Sequence, residues 1–571
     1  MESPLRPASP IHSPLGHALL LAALALPWFV HLGVSSLWDA NEAFYAETPR
    51  EMMVTGDYLA PRFNFEPRVQ KPPLTYWIVL LSYRAFGVGE FAVRFPGALA
   101  AAGILLFCYG GARILYGPRA GLVAAVIAAT TARIFILARR LPIDILLLFF
   151  LTGALFFILR ALRRGGRGRW VPVYLFLGLG FMTKGPIALV IPALALGGWT
   201  LAAGRRKAAE MYLFTGAAVV AAVVLPWYLA VWRAHGWDYI APFFLSDNLG
   251  RFATETLGPS RGVLYYIPVF LSDFFPWSLL LVAALLSLRS LRREEAPGFS
   301  PAWLPLFWAA AVFLIFSLSK NKQEYYIAPM YPACAILIAG ALERVRGRGA
   351  AWSWAYGGAA ALMAALSLAL PLVFTAFMPE VPALLRYGPT ALFAAGALAV
   401  AFFAFRRRPG LGFAALGLAL WSVYLLGAAA YIPALEALRP VKGFCRVIAE
   451  RWDPAGGDTA GYYRASLPSM AFYLERPIFQ ETEPERMLER FRSPGRVFCV
   501  LSRADYEYFL GRGARLSVLD QGPLFSLRFG DLLDKGKFPG RELILVSNRS
   551  CSKIASFEGD PFHESKTVHR R

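Results

Sequence analysis

Arg139-Arg140-Leu141-Pro142-Ile143-Asp144-Ile145-Leu146-Leu147-Leu148-Phe149-Phe150-Leu151-Thr152-Gly153-Ala154-Leu155-Phe156-Phe157-Ile158-Leu159-Arg160 is the stretch that decides the fold. Residues 142–160 form an apolar run of about the 20 residues an α-helix needs to cross a bilayer. Two arginines precede the run, an aspartate sits in its first turn, and five arginines lie between Arg160 and Arg169. Ionisable groups are costly in hydrocarbon, so those at its ends mark membrane interfaces. Runs of this kind recur between residues 17 and 431, and hydropathy predicts about thirteen spans there. The first is expected over 17–34. A short pair over 170–183 and 187–203 is divided by Lys184-Gly185-Pro186.

Composition agrees. The 571 residues are 57% hydrophobic and 17% charged, with a mean hydropathy of +0.48. Soluble domains carry roughly 25% charged residues. The first apolar run is followed by His31-Leu32-Gly33-Val34, which offers no small-residue cleavage site, so it reads as an uncleaved helix. The net charge of +21 is spread in small clusters between apolar runs, which argues against a nucleic-acid partner and for topology signals. One alternating set of connections carries twenty Lys and Arg residues and the other six. That bias predicts an inner-membrane protein with its N-terminus inside and everything after about residue 432 outside. Two long, aromatic-rich connections, 35–92 and 234–262, then fall on the outer face.

The expected architecture is an α-helical polytopic membrane region over 1–431, a small extracytoplasmic α/β domain over 432–549, and a polar tail over 550–571 expected to be disordered. In the α/β domain, strands are predicted at 459–463, 496–501, 515–519 and 542–546, and helices at 439–452 and 483–492. Five cysteines are too few for a disulfide framework, and a Cys445–Cys499 bridge is the minor alternative to two free thiols.

The first outer connection holds the densest chemistry. It reads Trp38-Asp39-Ala40-Asn41-Glu42-Ala43-Phe44-Tyr45-Ala46-Glu47-Thr48-Pro49-Arg50-Glu51-Met52, and later Gln70-Lys71-Pro72-Pro73-Leu74-Thr75-Tyr76-Trp77. Asn41 can cap a short helix that Pro49 ends or restarts. Pro72-Pro73 can open a second helix, to about Phe86, which puts Lys71 near the positive end of its dipole. Lys71, Arg94, Lys184, Arg251, Lys320 and Lys322 all fall at predicted outer ends, where cations suit a phosphate. Asp39, Glu42 and Asp144 are the carboxylates placed to take or orient a proton, and Tyr45, Tyr76 and Tyr326 are candidate wall residues. Plainer roles compete: Glu42 paired with Arg50 or Lys71, Asp144 paired with Arg139 or Arg140, and Lys320 and Lys322 as interfacial lysines. The six histidines show no ligand spacing, so no metal and no cofactor is expected; a divalent cation between Asp39, Glu42 and Asp144 is the minor alternative. No Gly-rich nucleotide loop follows a strand.

These motifs resemble the polyprenyl-phosphate-sugar-dependent transferases, which include protein O-mannosyltransferases and the bacterial aminoarabinose transferase that modifies lipid A. The likeness runs from the first loop and Lys71-Pro-Pro-Leu-Thr-Tyr-Trp77 through Arg94-Phe95-Pro96 and Thr183-Lys184-Gly185-Pro186. It ends at Ser319-Lys320-Asn321-Lys322 and Tyr326 to Pro329. It implies a GT-C fold, an outer-face active site, a polyprenyl-phosphate sugar donor (undecaprenyl-phosphate-like) and a lipid, glycan or protein acceptor. It also implies an inverting reaction without cofactor. Relatives carry an Asp-Glu pair where this chain has Asn41-Glu42, which leaves the acidic role open between Glu42 and Asp39. A transporter of lipid-linked sugars is the alternative; it would favour polar, broken helices at the bilayer midplane.

Overall fold

The computed structural model describes residues 13–39, 41–140, 142–204, 206–250, 261–291, 300–345, 349–377, 382–523 and 542–549. The chain divides into two compact units, Met1–Ala437 and Leu438–Arg571. The tail from residue 550 lies outside the described residues.

The first unit is helical. Eight of its described helices are long and apolar enough to cross a membrane alone, and there are up to ten spans if two bent pairs each count as one. Helix α1 (Pro14–Phe29) is shorter than its expected range. Ser13 caps it by accepting from the Gly16 amide at 2.9 Å, and Val30 leaves in an extended conformation. The residue expected to anchor a later span, Arg139, instead donates to the carbonyls of Pro27, Trp28, Val30 and His31, and so caps the C-terminal end of α1.

The connection over residues 35–92 folds as a helix, a hairpin and a helix. Helix α2 (Asn41–Thr55) runs on through Pro49, which neither ends nor restarts it. Its residues from Glu42 to Met52 are almost all buried, so packing outweighs the amide that proline removes. Strands β1 (Arg62–Phe63) and β2 (Glu66–Pro67) pair antiparallel around Asn64 and Phe65, which have φ of 58° and 62°. Helix α3 (Leu74–Phe86) begins after Pro73 and stands against α2, with the Tyr83 hydroxyl donating to the Ala46 carbonyl at 2.7 Å.

Helix α4 (Glu90–Tyr116) is long and apolar enough to span, and α5 (Pro118–Ala129) with α6 (Ala132–Arg140) forms an apolar pair bent by 60°. At the bend Thr130 and Thr131 turn their hydroxyls back onto the carbonyls of Val126 and Ile127, a known way to loosen a helix. The Thr130 carbonyl so freed accepts from the Trp277 indole and the Tyr424 hydroxyl, both at 3.3 Å. Helices α7 (Pro142–Arg164), α8 (Val171–Lys184) and α9 (Ile187–Ala203) follow. Close approach is bought by small residues: a Cβ on Gly153 of α7 would meet the Phe176 ring of α8 at 2.2 Å.

The second bent pair, Val263–Asp273 and Trp277–Ser287, turns by 108°. Its first arm ends on a buried ion pair that hydropathy conceals. Arg133 of α6 donates twice to Asp273, at 2.7 and 2.8 Å, and the Tyr331 hydroxyl donates to the same carboxylate at 2.9 Å. One polar node thus fastens both broken spans to the helix Tyr331–Val345.

In the second unit, strands β3 (Thr459–Tyr463), β4 (Phe479–Glu481), β5 (Val497–Ser502), β6 (Ser517–Pro523) and β7 (Glu542–Ser547) form a sheet in the order β4-β3-β5-β7-β6. The first three are parallel, and β7 runs antiparallel to β5 and β6. Met487, Phe491 and Phe509 cover the central strands. Three elements escape the sequence pattern: β4, with three residues, and the helices Ser469–Leu474 and Arg503–Gly511, the latter largely polar with only Phe509 buried. Cys445 and Cys499 are both buried and form no disulfide, which removes the bridge.

Asp273→Asn leaves the buried Arg133 without its close carboxylate, with only the exposed Glu324 at 3.5 Å still opposite it. Loss of one partner of a buried pair costs about 3–5 kcal/mol. A markedly lower midpoint of thermal unfolding in detergent is expected, and the double change Arg133→Met/Asp273→Leu should recover most of it. Equal midpoints for wild type and Asp273→Asn would dismiss the node as a fastening.

Candidate active site

Five sequence motifs far apart in the chain meet at the end of the membrane unit where α4 and α7 begin. The base of the region is a latch. Arg94, in the first turns of α4, spends all five N–H groups: on Glu42 at 2.7 and 2.9 Å, and on the carbonyls of Leu32, Ser35 and Ser36 at 2.7–3.1 Å. Glu42 is fully buried, and its second oxygen also accepts from the Trp38 amide at 2.7 Å. Two expectations are corrected here. Arg94 has no donor left for a phosphate, and Glu42 has both oxygens taken, by neither Arg50 nor Lys71. The pair holds the residues before α2 in place. Asp39 stays half-buried beside Trp38, whose ring lies 3.4 Å under the Arg140 guanidinium.

Above the latch sit two lysine–carboxylate pairs. Lys71 donates to Asp247 and to the Gln70 carbonyl, both at 2.7 Å. Lys184 pairs with Asp144 and lies 4.9 and 5.4 Å from the ring centres of Tyr326 and Tyr325. Asp144 therefore answers Lys184 rather than Arg139 or Arg140. Phe243 joins the pairs: it lies 6.0 Å from the Lys71 ammonium, and its ring packs where a Cβ on Gly185 would be, 2.4 Å away. Gly185 also has φ of +87°, so two independent reasons require glycine in Thr183-Lys184-Gly185-Pro186.

Tyr45 and Tyr76 stack at 5.6 Å between the pairs, and Arg68 donates to the Tyr76 hydroxyl at 3.1 Å. Tyr45 feels the charges of Arg68 and Asp144, and Tyr76 those of Arg68 and Asp247, so the two tyrosines bridge the two pairs electrostatically. Burial holds both phenols above their usual range, which keeps them neutral donors. Lys322 is largely buried and donates to the Ser319 carbonyl, while its own carbonyl accepts from Arg261 at 3.0 Å. Lys320 is exposed next to it. Arg251 lies outside the described residues, as does the side chain of Asn41. Asp39, Glu42 and Asp144 do not converge as ligands, because Glu42 and Asp144 already serve Arg94 and Lys184.

Sequence reading missed Asp247, Arg68 and Phe243. The signal for Asp247 was weak but present: a buried lysine needs an acid, and the second outer connection is acidic in its middle. The carboxylates of Glu47 and Glu51 were also missed. Arg50 donates twice to Glu47, at 2.7 and 2.6 Å, and Glu51 accepts from the amides of Asn64 and Phe65 at 2.6 and 3.0 Å. Glu51 is what holds the left-handed hairpin turn.

Burial first, and then the neighbouring Glu47 charge, raise the Glu51 carboxyl from 4.5 to about 7 despite the two amides. A raised carboxyl stabilises the fold while protonated, fully below pH 4.5, and that contribution is lost as pH rises through about 7. Amide exchange at Asn64 and Phe65 should therefore quicken between pH 5 and 8 beyond the intrinsic rate, and in Glu51→Gln that extra increase should vanish. An identical pH response in both proteins would refute this assignment.

A family model described as dolichyl-phosphate-mannose-protein mannosyltransferase matches residues 70–232, which contain Lys71, Arg94, Asp144 and Lys184. An undecaprenyl phosphate-alpha-4-amino-4-deoxy-L-arabinose arabinosyl transferase of Edwardsiella ictaluri is 34% identical over 339 residues. The match covers 58% of this chain and 60% of that relative's length. An uncharacterized protein of Aquifex aeolicus is 28% identical over 81% of this chain and 88% of its own length. Among solved structures, ArnT from Cupriavidus metallidurans superposes with a TM-score of 0.74 at 22% identity, over 94% of this chain and 98% of that one. The same protein bound to undecaprenyl phosphate gives 0.74 at 23%, over 94% and 99%. The fold is the GT-C fold of these structures, residues 70–232 resemble the dolichyl-phosphate-mannose-protein mannosyltransferase family, and the chain spans about three fifths of the arabinosyl transferase's length.

Proposed function

We propose that this protein moves a sugar from a polyprenyl-phosphate donor, of the undecaprenyl-phosphate kind named for its relatives, to an acceptor hydroxyl or amine. The observation that carries this reading is the convergence of Lys71 and Lys184, 113 positions apart, on either side of the Phe243–Gly185 contact. Two ammonium groups held by carboxylates at a membrane interface suit a phosphate that enters and displaces the carboxylates. The likeness to the lipid A aminoarabinose transferase favours a lipid acceptor.

In this mechanism the donor phosphate takes Lys71 and Lys184 from Asp247 and Asp144. The freed Asp144 accepts the acceptor's proton as the acceptor atom bonds to the anomeric carbon. The bond from that carbon to the phosphate oxygen breaks with its electron pair, and polyprenyl phosphate leaves. Attack from the face opposite the phosphate inverts the centre. Glu42 and Arg94 are positioning residues, and Asp39 is the second candidate for the proton. The neutral phenols of Tyr45 and Tyr76 can donate to the sugar, Tyr326 walls the phosphate, and Lys320 and Lys322 extend the cationic rim.

We also infer thirteen crossings, made of the eight long helices, the two bent pairs, and the shorter α1, α8 and α9. The arginine bias supports an N-terminus inside, with the candidate site and the second unit outside.

Lys71→Ala should lower turnover by about 10²–10³, as expected for a lost electrostatic donor, and leave the unfolding midpoint unchanged. Asp144→Asn should cost about 10²–10⁴, while Glu42→Gln should lose both activity and stability. Asp247→Asn should bind the donor more tightly and turn over more slowly, because the competitor that displaces the spent carrier from Lys71 is gone. Turnover of the purified protein on undecaprenyl-phosphate sugars, followed by mass spectrometry, reads all four. Wild-type turnover in Lys71→Ala would sink the phosphate site, and in Asp144→Asn it would move the proton to Asp39.

In a chain whose five native cysteines are replaced by serine, Ala455→Cys should react with an impermeant thiol reagent on intact cells, and Gly166→Cys should not. The reverse pattern would overturn the orientation.

A further inference from the structure

The end of the membrane unit opposite the candidate site carries a second phosphate-like environment that the proposed transfer reaction does not use. Helix α4 has Arg94 near its start and Arg113 near its end, and 19 residues of helix separate them by about 29 Å. Helix α7 likewise runs from Asp144 to Arg163 and Arg164. These distal ends are therefore at the other interface.

Two recesses open there and share Arg113 as their common wall. One, of about 550 Å³, is lined by His17 and Leu21 of α1, Tyr109 and Arg113 of α4, and Arg119 of α5. The other, of about 530 Å³, is lined by Arg113, Ile114, Arg163 and Arg164. Four guanidinium groups from three helices thus surround adjoining spaces, and among the described residues none of them forms an ion pair with a carboxylate. The polar rim is organised. The Tyr109 hydroxyl sits 2.9 Å from Nδ1 of His17 and accepts from Arg113 at 3.4 Å, and Arg163 donates to the Ile114 carbonyl at 3.3 Å.

Arginine bias alone accounts for cations on this face. It does not account for cations from separate helices bordering two adjoining recesses, the first of which has an apolar side made by Pro14, Ala18 and Leu21 of α1. Guanidinium groups bind phosphodiester oxygens in pairs, and basic pockets between membrane helices hold phosphate headgroups. We propose that these recesses form a binding site for the phosphodiester headgroup of an anionic phospholipid, with Arg113 between two phosphate positions. Leu21 and the α1 face take the first methylenes of the acyl chain, and this apolar wall is what distinguishes a lipid from a free anion.

Native mass spectrometry of the full-length protein in detergent tests this, with phosphatidylglycerol, a two-phosphate cardiolipin, phosphatidylethanolamine and inorganic phosphate as probes. Phosphatidylglycerol should be retained over phosphatidylethanolamine, and cardiolipin should be retained most strongly. Arg113→Gln/Arg119→Gln should weaken phosphatidylglycerol retention by about tenfold, the scale of a lost charge-assisted pair. Arg406→Gln/Arg407→Gln, with the same loss of charge at another connection, should leave it unchanged. Should the first double variant fail to purify, Arg113→Lys/Arg119→Lys keeps the charge and reads the same way. Weaker retention supports the site and unchanged retention overturns it. Equal binding of both single-phosphate lipids, an equal loss in the Arg406/Arg407 control, or displacement of the lipid by inorganic phosphate at equal concentration would each overturn the proposal.

Discussion

The Arg94–Glu42 pair is the interaction on which the rest of this end of the membrane unit depends. One guanidinium gathers the carboxylate of α2 and three carbonyls of the segment before it, so the start of α2 is fixed to the start of α4. Because α2 cannot tilt, Tyr45 keeps its stack on Tyr76 of α3, and that stack stands between the two lysine pairs. A buried pair of this kind contributes little net stability against an apolar isostere, yet it is costly to break. It therefore specifies geometry more than it adds stability. Glu51 repeats the device one turn of hairpin away, where it fixes the loop that delivers Arg68.

How much was legible in the sequence follows from which forces are local. Eight to ten of the predicted spans coincide with helices or bent pairs long and apolar enough to cross, because lipid imposes a length and an apolar content that one segment must satisfy alone, while α1, α8 and α9 are shorter. The bends were not legible. They rest on Thr130 and Thr131 and on partners almost 150 and 300 residues away, Trp277 and Tyr424. Helix α2 shows the same limit from the other side, since Pro49 is a local stop signal that burial overrode.

At the site, the residue types and their motifs were readable and their pairings were not. Lys71 meets Asp247, and Lys184 meets Asp144. Arg94 and Glu42 share the same motifs and the same charges, yet they face each other inside the protein. Nothing in a one-dimensional pattern separates a cation that meets a ligand from one that meets a carboxylate 52 positions away. Asp247 and Phe243, on the second outer connection, complete the region without belonging to any motif.

The two lysine–carboxylate pairs bear on how a turnover ends. In the proposed reaction a phosphodiester with one negative charge arrives, and a phosphomonoester able to carry two departs. Two ammonium groups alone would hold the departing species more tightly than the arriving one, and the site would clog. Asp144 and Asp247 are tethered rivals for the same ammonium groups, at an effective concentration that no free ion in the medium reaches. Their return to Lys184 and Lys71 expels the spent carrier lipid and resets the site without any outside source of energy.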